Sequence, residues 1–127
     1  MELSPTVIEF INTASAKALA TDGPAGLNVI PVSVITAEAR QVVLYNFFMN
    51  KTTQNITQPD TPVALACWDG LRGLQLKATA TAQNTGELFT AKQAVMRKQF
   101  PDRTLASVIV LRPTELFDVS VGGANVL

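Results

Sequence analysis

Within the segment Leu71–Ala82, LRGLQLKATATA, the part from Leu74 to Ala82 alternates without a break. Leu74, Leu76, Ala78, Ala80 and Ala82 take one parity, and Gln75, Lys77, Thr79 and Thr81 take the other. A period of two is that of a strand, with one apolar face and one polar face. Such a strand has one face to bury, and the rest of the chain supplies matching pieces. Turn chemistry recurs at short intervals: Asp22-Gly23-Pro24-Ala25-Gly26, Pro59-Asp60-Thr61-Pro62 and Asp69-Gly70.

Between these turns lie further strand-like runs. Ala16–Thr21 reads as a short first strand. Leu27–Ile35 (LNVIPVSVI) is β-branched and reads as a second, with Pro31 marking an edge or a bulge because it cannot donate to a ladder. QVVLYNFF follows as its hairpin partner, and PVALACW as another strand. Leu105–Leu111 and Leu116–Val121 read as two last strands. Helical spacing appears at Pro5–Ser15, where Ser4 precedes proline at the first helical position. It returns at about Thr85–Phe100, with Leu88, Phe89, Ala91, Val95 and Met96 on the buried side and Pro101-Asp102 as the stop. Roughly seven short strands on short connections predict a mainly β domain with flanking helices, an antiparallel barrel closed fully or in part.

At 127 residues the chain fits one domain, 1–127, and 47% hydrophobic content is enough for a core without disulfides. Ten basic and ten acidic residues cancel, which argues against nucleic acid or an electrostatic membrane surface as partner. Charged residues make up only 16%, too few to cover the whole surface, so an apolar patch closed by self-association is expected. The chain has no histidine, which removes imidazole acid–base catalysis and most zinc sites. Cys67, the single cysteine, lies in an apolar strand with no basic neighbour and reads as core. Glu9, Asn12 and Lys17 interrupt the N-terminal apolar positions, and no apolar run spans a bilayer. A soluble, cytoplasmic protein is the expectation.

The stretch FFMNKTTQNI (47–56) stands out chemically. Asn50 reads as an N-cap and Lys51–Gln58 as two turns of helix directly after a strand. Free N–H groups, the Lys51 charge and the Thr52 and Thr53 hydroxyls would together suit a phosphate monoester. A capped surface helix with a solvated lysine explains the same residues.

The order LNVIPVSV, QVVLYNFFMNKTTQNI, PVALACWDGLRGLQLKATATA resembles the FMN-binding split barrels of the pyridoxamine 5′-phosphate oxidase-like family. The resemblance covers Ala16–Ala82 best and implies an antiparallel split β-barrel holding FMN. It implies that backbone groups of Pro31, Val32 and Ser33 hold the edge of the flavin ring. Leu44, Tyr45 and Asn46 would line the ring, with Met49 beside it. Lys51, with Thr52, would take the phosphate. Many members carry a second basic residue just before this lysine; here it is Asn50. Gln75 is the candidate for a side-chain amide to the flavin. No metal site is implied.

A true pyridoxamine-phosphate oxidase ends in a region rich in arginine and histidine, whereas this chain ends VGGANVL with no basic residue after Arg112. The expectation is therefore a homodimeric flavoprotein with flavin at the subunit interface, acting as an electron-transfer protein or a simple FMN-dependent oxidoreductase. Its electron donor and acceptor are unassigned. The apolar tail Ala124–Leu127 is expected to reach the partner subunit. The alternative is a non-catalytic barrel for another phosphorylated cofactor, such as a deazaflavin.

Overall fold

The computed structural model describes residues 1–127. In chain order the elements are α1 (Pro5–Thr13), β1 (Ala16–Thr21), β2 (Asn28–Pro31), β3 (Ile35–Ala37), β4 (Val42–Asn46), α2 (Asn50–Asn55), β5 (Thr61–Asp69), β6 (Arg72–Gln83), α3 (Glu87–Gln99) and β7 (Ser107–Asp118). All strand pairings are antiparallel, in the order β2-β1-β5-β6-β7-β4-β3.

That order forces curvature. β2 and β3 are the two edges of the sheet, yet only Val32, Ser33 and Val34 separate them in sequence. Flat, seven strands would hold their edges about 29 Å apart at ~4.8 Å per strand. Four residue steps reach at most about 14 Å. The sheet is therefore rolled until its edges approach, which makes a split barrel.

The inside holds a core of 21 buried residues, among them Leu19, Leu44, Leu65, Leu74, Leu76, Ile109 and Leu111. α1 lays Val7, Phe10 and Ile11 against this core. Its start is capped by Ser4 Oγ, which accepts from Val7 N at 3.3 Å. Asn12 ties it to β3, donating to Ala37 O and accepting from Ala37 N. A second cluster (Val43, Tyr45, Met96, Leu105, Val108, Val110) covers the outer face of β4 and β7 beneath α3. No helix is long and apolar enough to cross a membrane.

Several boundaries differ from the sequence reading. The run 27–35 is not one strand: it splits into β2 and β3, which lie at opposite edges of the sheet. The last two expected strands are one, β7, which pairs with β4 through its first half and with β6 along its length. A register shift at Lys77/Ala78 leaves Thr114 as the extra residue there and places Pro113 beyond the last β4 pair, where its missing N–H costs no ladder bond. On α3 only Met96 is buried, and Val95 and Ala91 face solvent. The tail folds onto its own chain: Val126 joins the main core, and Asp118 Oδ2 accepts from the N–H groups of Val126 (2.6 Å) and Leu127 (2.8 Å).

Candidate functional site

β2 has a strand neighbour on one side only. Val32 N donates to Lys17 O at 2.9 Å, and this fixes which residues of the strand bond to β1. In an antiparallel ladder the bonded pairs alternate. Val29 and Pro31 therefore fall between bonded pairs and turn their backbone groups to the free edge. Pro31 sits where it has no ladder donor to lose. Val32, in contrast, has its N–H committed to β1 and its side chain buried.

Facing this edge is the corner where β4 enters α2. Two adjoining cavities of about 260 and 310 Å³ run between them and share Ile30, Phe48 and Met49. The first is walled by Pro31, Ser33, Tyr45, Phe47 and Arg103. The second ends at Asn28, Asn50, Lys51 and Thr52. Together they form one groove with an apolar middle, an ammonium at one end and a guanidinium at the other.

Buried amides set the corner. Asn46 Oδ1 accepts from Met49 N at 2.7 Å, and its Nδ2 donates to Thr53 Oγ1 (3.0 Å) and Ser107 Oγ (2.9 Å). Met49, not Asn50, occupies the cap position of α2, and the helix ends at Asn55 rather than Gln58. Asn50 is thus the first helical residue, and the cap's polar work is done by Asn46 three residues earlier. Asn55 closes the other end: its Oδ1 accepts from Ala25 N, and its Nδ2 donates to Thr21 Oγ1 and Gly26 O. At Gly23 a Cβ would come within 3.0 Å of the Asn55 backbone, so glycine is required for this turn to dock.

Against this geometry the expected site residues divide. Pro31, Ser33, Tyr45, Met49, Lys51 and Thr52 all line the groove. Lys51 is exposed at its mouth. Thr52 is fully buried and accepts from Asn28 Nδ2 at 3.2 Å. Tyr45 is buried, with its hydroxyl 2.9 Å from Thr36 Oγ1, so it shows the groove its ring. Leu44 is different: its side chain lies inside the main core and its backbone is paired on both sides, to Ile35 and Ile109. The side chain of Asn46 is consumed by the corner. Val32 lines only the larger cavity on the other side of β2.

Gln75 also lies outside the groove. It belongs to the cross-strand row Pro31–Ala18–Ala66–Gln75–Phe117 on the outer face of the sheet. Three strand spacings, about 14 Å, separate it from Pro31. Within one chain it cannot share a small ligand's ring with Tyr45.

Arg103, Phe48, Asn28 and Ile30 were not foreseen. The Arg103 guanidinium carbon lies 4.6 Å from the Phe100 ring centre and 5.5 Å from that of Phe47. The Pro101-Asp102 stop before it marked a loop and gave no sign that the loop returns to β4. The larger cavity, about 840 Å³, lies across β2 and is lined by Ala14–Ala18, Val29–Ser33 and Trp68. Its one cation, Lys17, already donates to Ala14 O at 2.7 Å, whereas the Lys51 ammonium makes no hydrogen bond within the chain, so the smaller groove is the better anion site. The groove's lining offers a lysine, an arginine and hydroxyls but no carboxylate or thiol. It can orient and neutralise an anionic planar molecule, and redox chemistry there would have to come with the bound group.

The sequence matches no protein-family model and no curated protein. Solved structures do match. HupZ of Group A Streptococcus superposes with a TM-score of 0.81 at 18% identity, over 94% of this chain and 96% of that one. A putative pyridoxamine 5′-phosphate oxidase from Lactobacillus delbrueckii gives 0.71 at 21%, over 91% and 93%. An FMN-binding protein from Syntrophomonas wolfei gives 0.71 at 15%, over 91% and 87%. An F420 reductase (TM-score 0.62, 17% identity, 86% and 94% covered) and HutZ, the heme storage protein of Vibrio cholerae (0.64, 18%, 93% and 95%), share the same architecture. The chain thus has the split-barrel fold of the pyridoxamine 5′-phosphate oxidase-like proteins. Its structural neighbours include FMN-binding, F420-linked and heme-linked proteins.

Proposed function

We propose that this chain is an FMN-binding flavoprotein that works in redox or electron transfer and is not a pyridoxamine-phosphate oxidase. The observation that carries the reading is the pair of adjoining cavities along the free edge of β2, with Ile30, Phe48 and Met49 as their shared lining and Lys51 at one end. FMN needs a phosphate anchor, a flat apolar slot and polar groups along one ring edge. Lys51 and the first-turn N–H groups of α2, which have no intrahelical partner, supply the anchor. Tyr45, Met49 and Ile30 supply the slot. The outward backbone of Val29 and Pro31, with Ser33, supplies the polar edge. Once bound, FMN brings one- and two-electron chemistry that the side chains lack.

We further propose a homodimer, in agreement with the sparse charge. The outer sheet face carries small half-buried side chains at Ala18, Ala64 and Ala66, with Phe117 exposed beside them. Apposing two such faces would bring Gln75 of one protomer towards the cofactor of the other. That would reconcile its place on the sheet with a role at the flavin.

One structural neighbour, the F420 reductase, supports a second reading, a deazaflavin cofactor in the same groove. The absorption spectrum of the purified protein separates them. A yellow protein that releases FMN on denaturation supports the first reading, and a deazaflavin spectrum supports the second. A colourless protein that takes up neither cofactor rejects both.

A further inference from the structure

The cofactor reading uses the Lys51 end of the groove and leaves Arg103, at the other end, without a task. Arg103 also lines a separate cavity of about 310 Å³ between α3 and the loop 101–105. That volume suits a small organic molecule, at the low end of the ordinary range of about 300–1,000 Å³. The floor is apolar: Met96 and Leu105 are each 5% exposed. The rim is polar. Gln93 and Arg97 lie one turn apart on the same face of α3, and Arg103 and Thr104 lie across from them on the loop. Four of the chain's ten basic residues fall within Lys92–Arg103 against one acid, Asp102, and the cavity's lining holds no carboxylate. Arg97, in the last turn, also suits the helix dipole. The dipole does not explain Arg103, which lies beyond the helix. Its N–H donates to Phe100 O at 3.1 Å, and its guanidinium carbon lies 4.6 Å from the Phe100 ring centre and 5.5 Å from that of Phe47. Attraction to the rings fixes the group yet supplies no acceptor oxygen, so its N–H donors remain for an anion or water. The cavity shares no residue with the sheet face around Ala66, and ten strand steps from Ser107 to Phe117, about 30 Å, keep it clear of that face.

We infer that the cavity between α3 and its following loop binds a small organic oxyanion, a carboxylate or a phosphate monoester, with its apolar body on Met96 and Leu105 and its charged group between Arg97 and Arg103. Guanidinium forks match the paired oxygens of either group. The site is stated for binding alone and does not depend on what fills the groove.

The probes are benzoate and phenyl phosphate, with benzyl alcohol as the uncharged control, titrated into the full chain in phosphate-free buffer with and without FMN. Calorimetry measures Kd, and two-dimensional NMR locates the ligand. Saturable one-site binding of at least one oxyanion is expected, with shifts at the Arg97 and Arg103 Nε–H and Thr104 amide signals. The tighter of the two identifies the group as a carboxylate or a phosphate. Arg97→Gln should weaken it about tenfold. Lys98→Gln removes the same charge from the next residue, which is outside the lining, and should change it less than about twofold. Equal losses in the two variants would overturn the inference, because they would reduce the site to diffuse charge. So would benzyl alcohol binding as tightly, the absence of saturable binding, or shifts confined to Lys51 and Thr52. Competition by FMN would overturn it too, by making Arg103 part of the flavin's own anchor. Arg97 and Thr104 report this cavity while Lys51 and Thr52 report the groove, so either reading can fail without the other.

Discussion

Lys51 and Cys67 illustrate opposite uses of a single side chain. Lys51 stands exposed where the groove ends, and nothing in the fold depends on its charge. Lys51→Ala should therefore weaken FMN while leaving the melting temperature of the cofactor-free protein within a degree or two. Loss of one charge-assisted contact to a phosphate is worth about 1.5–3 kcal/mol, roughly tenfold to a hundredfold in Kd by flavin titration. Unchanged affinity would move the phosphate elsewhere. Cys67 faces the core, where burial pushes its thiol up to about 12, against a smaller opposing pull from Lys17. Its ordinary value is 9.0, so between pH 9 and 12 the unfolded chain gives up a proton that the native chain keeps. Stability should be intact below pH 9 and then fall by about 1.4 kcal/mol per pH unit. In Cys67→Ala that component of the alkaline decline should be gone, as urea melts across this range would show. Native protein should also resist iodoacetamide at neutral pH.

Elements here are joined by buried amides more than by their own caps. Asn46→Ala would strand Met49 N and Ser107 Oγ in a buried corner, while Thr53 Oγ1 would keep its bond to Met49 O, at a cost of about 1–3 kcal/mol in chemical denaturation. Asn50→Ala removes an exposed residue with no cap bond and should stay within about 0.5 kcal/mol. Equal losses would restore Asn50 as the cap. The strap after β7 behaves similarly. Asp118 is held well below the usual carboxylate range, first by the Leu127 N–H and then by Ser120. A depressed carboxylate stabilises the fold above its ordinary value near 3.8 and loses that contribution as pH falls. The downfield amide shifts of Val126 and Leu127 should therefore persist through pH 4 and collapse only in stronger acid; in Asp118→Asn they should be absent at every pH. These links also mark what the sequence could not show. The alternation of Leu74–Ala82 and the turns at Asp22–Gly26 and Asp69-Gly70 made the strands readable, because period and turn chemistry are local. The break within 27–35 was not readable, since Val32-Ser33-Val34 is as β-branched as its flanks and only sheet closure demands the crossing. Asn46 and Asn55 were hidden for the same reason: a buried amide is identified by partners 7 to 61 residues away.

At the scale of the molecule, rolling the sheet divides its side chains into a dry interior and an outer face, and the site falls where the two edges meet. That explains which site residues were legible. Lys51, Met49, Tyr45 and Pro31 converge because β2 and the β4–α2 corner flank the split. Leu44 does not, because strand parity turns it inward, and Gln75 does not, because it lies three strands along the outer row from Pro31. The outer face is where assembly would act. A stable interface needs about 800 Å² per partner, near a ninth of the 7069 Å² that this chain exposes. The face around Ala18, Ala64, Ala66 and Phe117 carries small half-buried side chains beside an exposed ring, which would let two sheets approach closely. Ala66→Arg tests it most directly. Ala66 lies mid-row between Ala18 and Gln75, half-buried on an otherwise intact strand. In a monomer the arginine would extend into water at little cost, so circular dichroism and thermal melting should barely change. In a dimer it would bring two unpaired charges face to face in a desolvated centre, at a cost of several kcal/mol. Light scattering should then report a monomer at concentrations where the unmodified chain is dimeric, and flavin affinity should drop with it if the partner's Gln75 completes the cofactor site. An arginine variant that stays dimeric would exclude this face as the interface and leave Gln75 as an ordinary solvated strand residue.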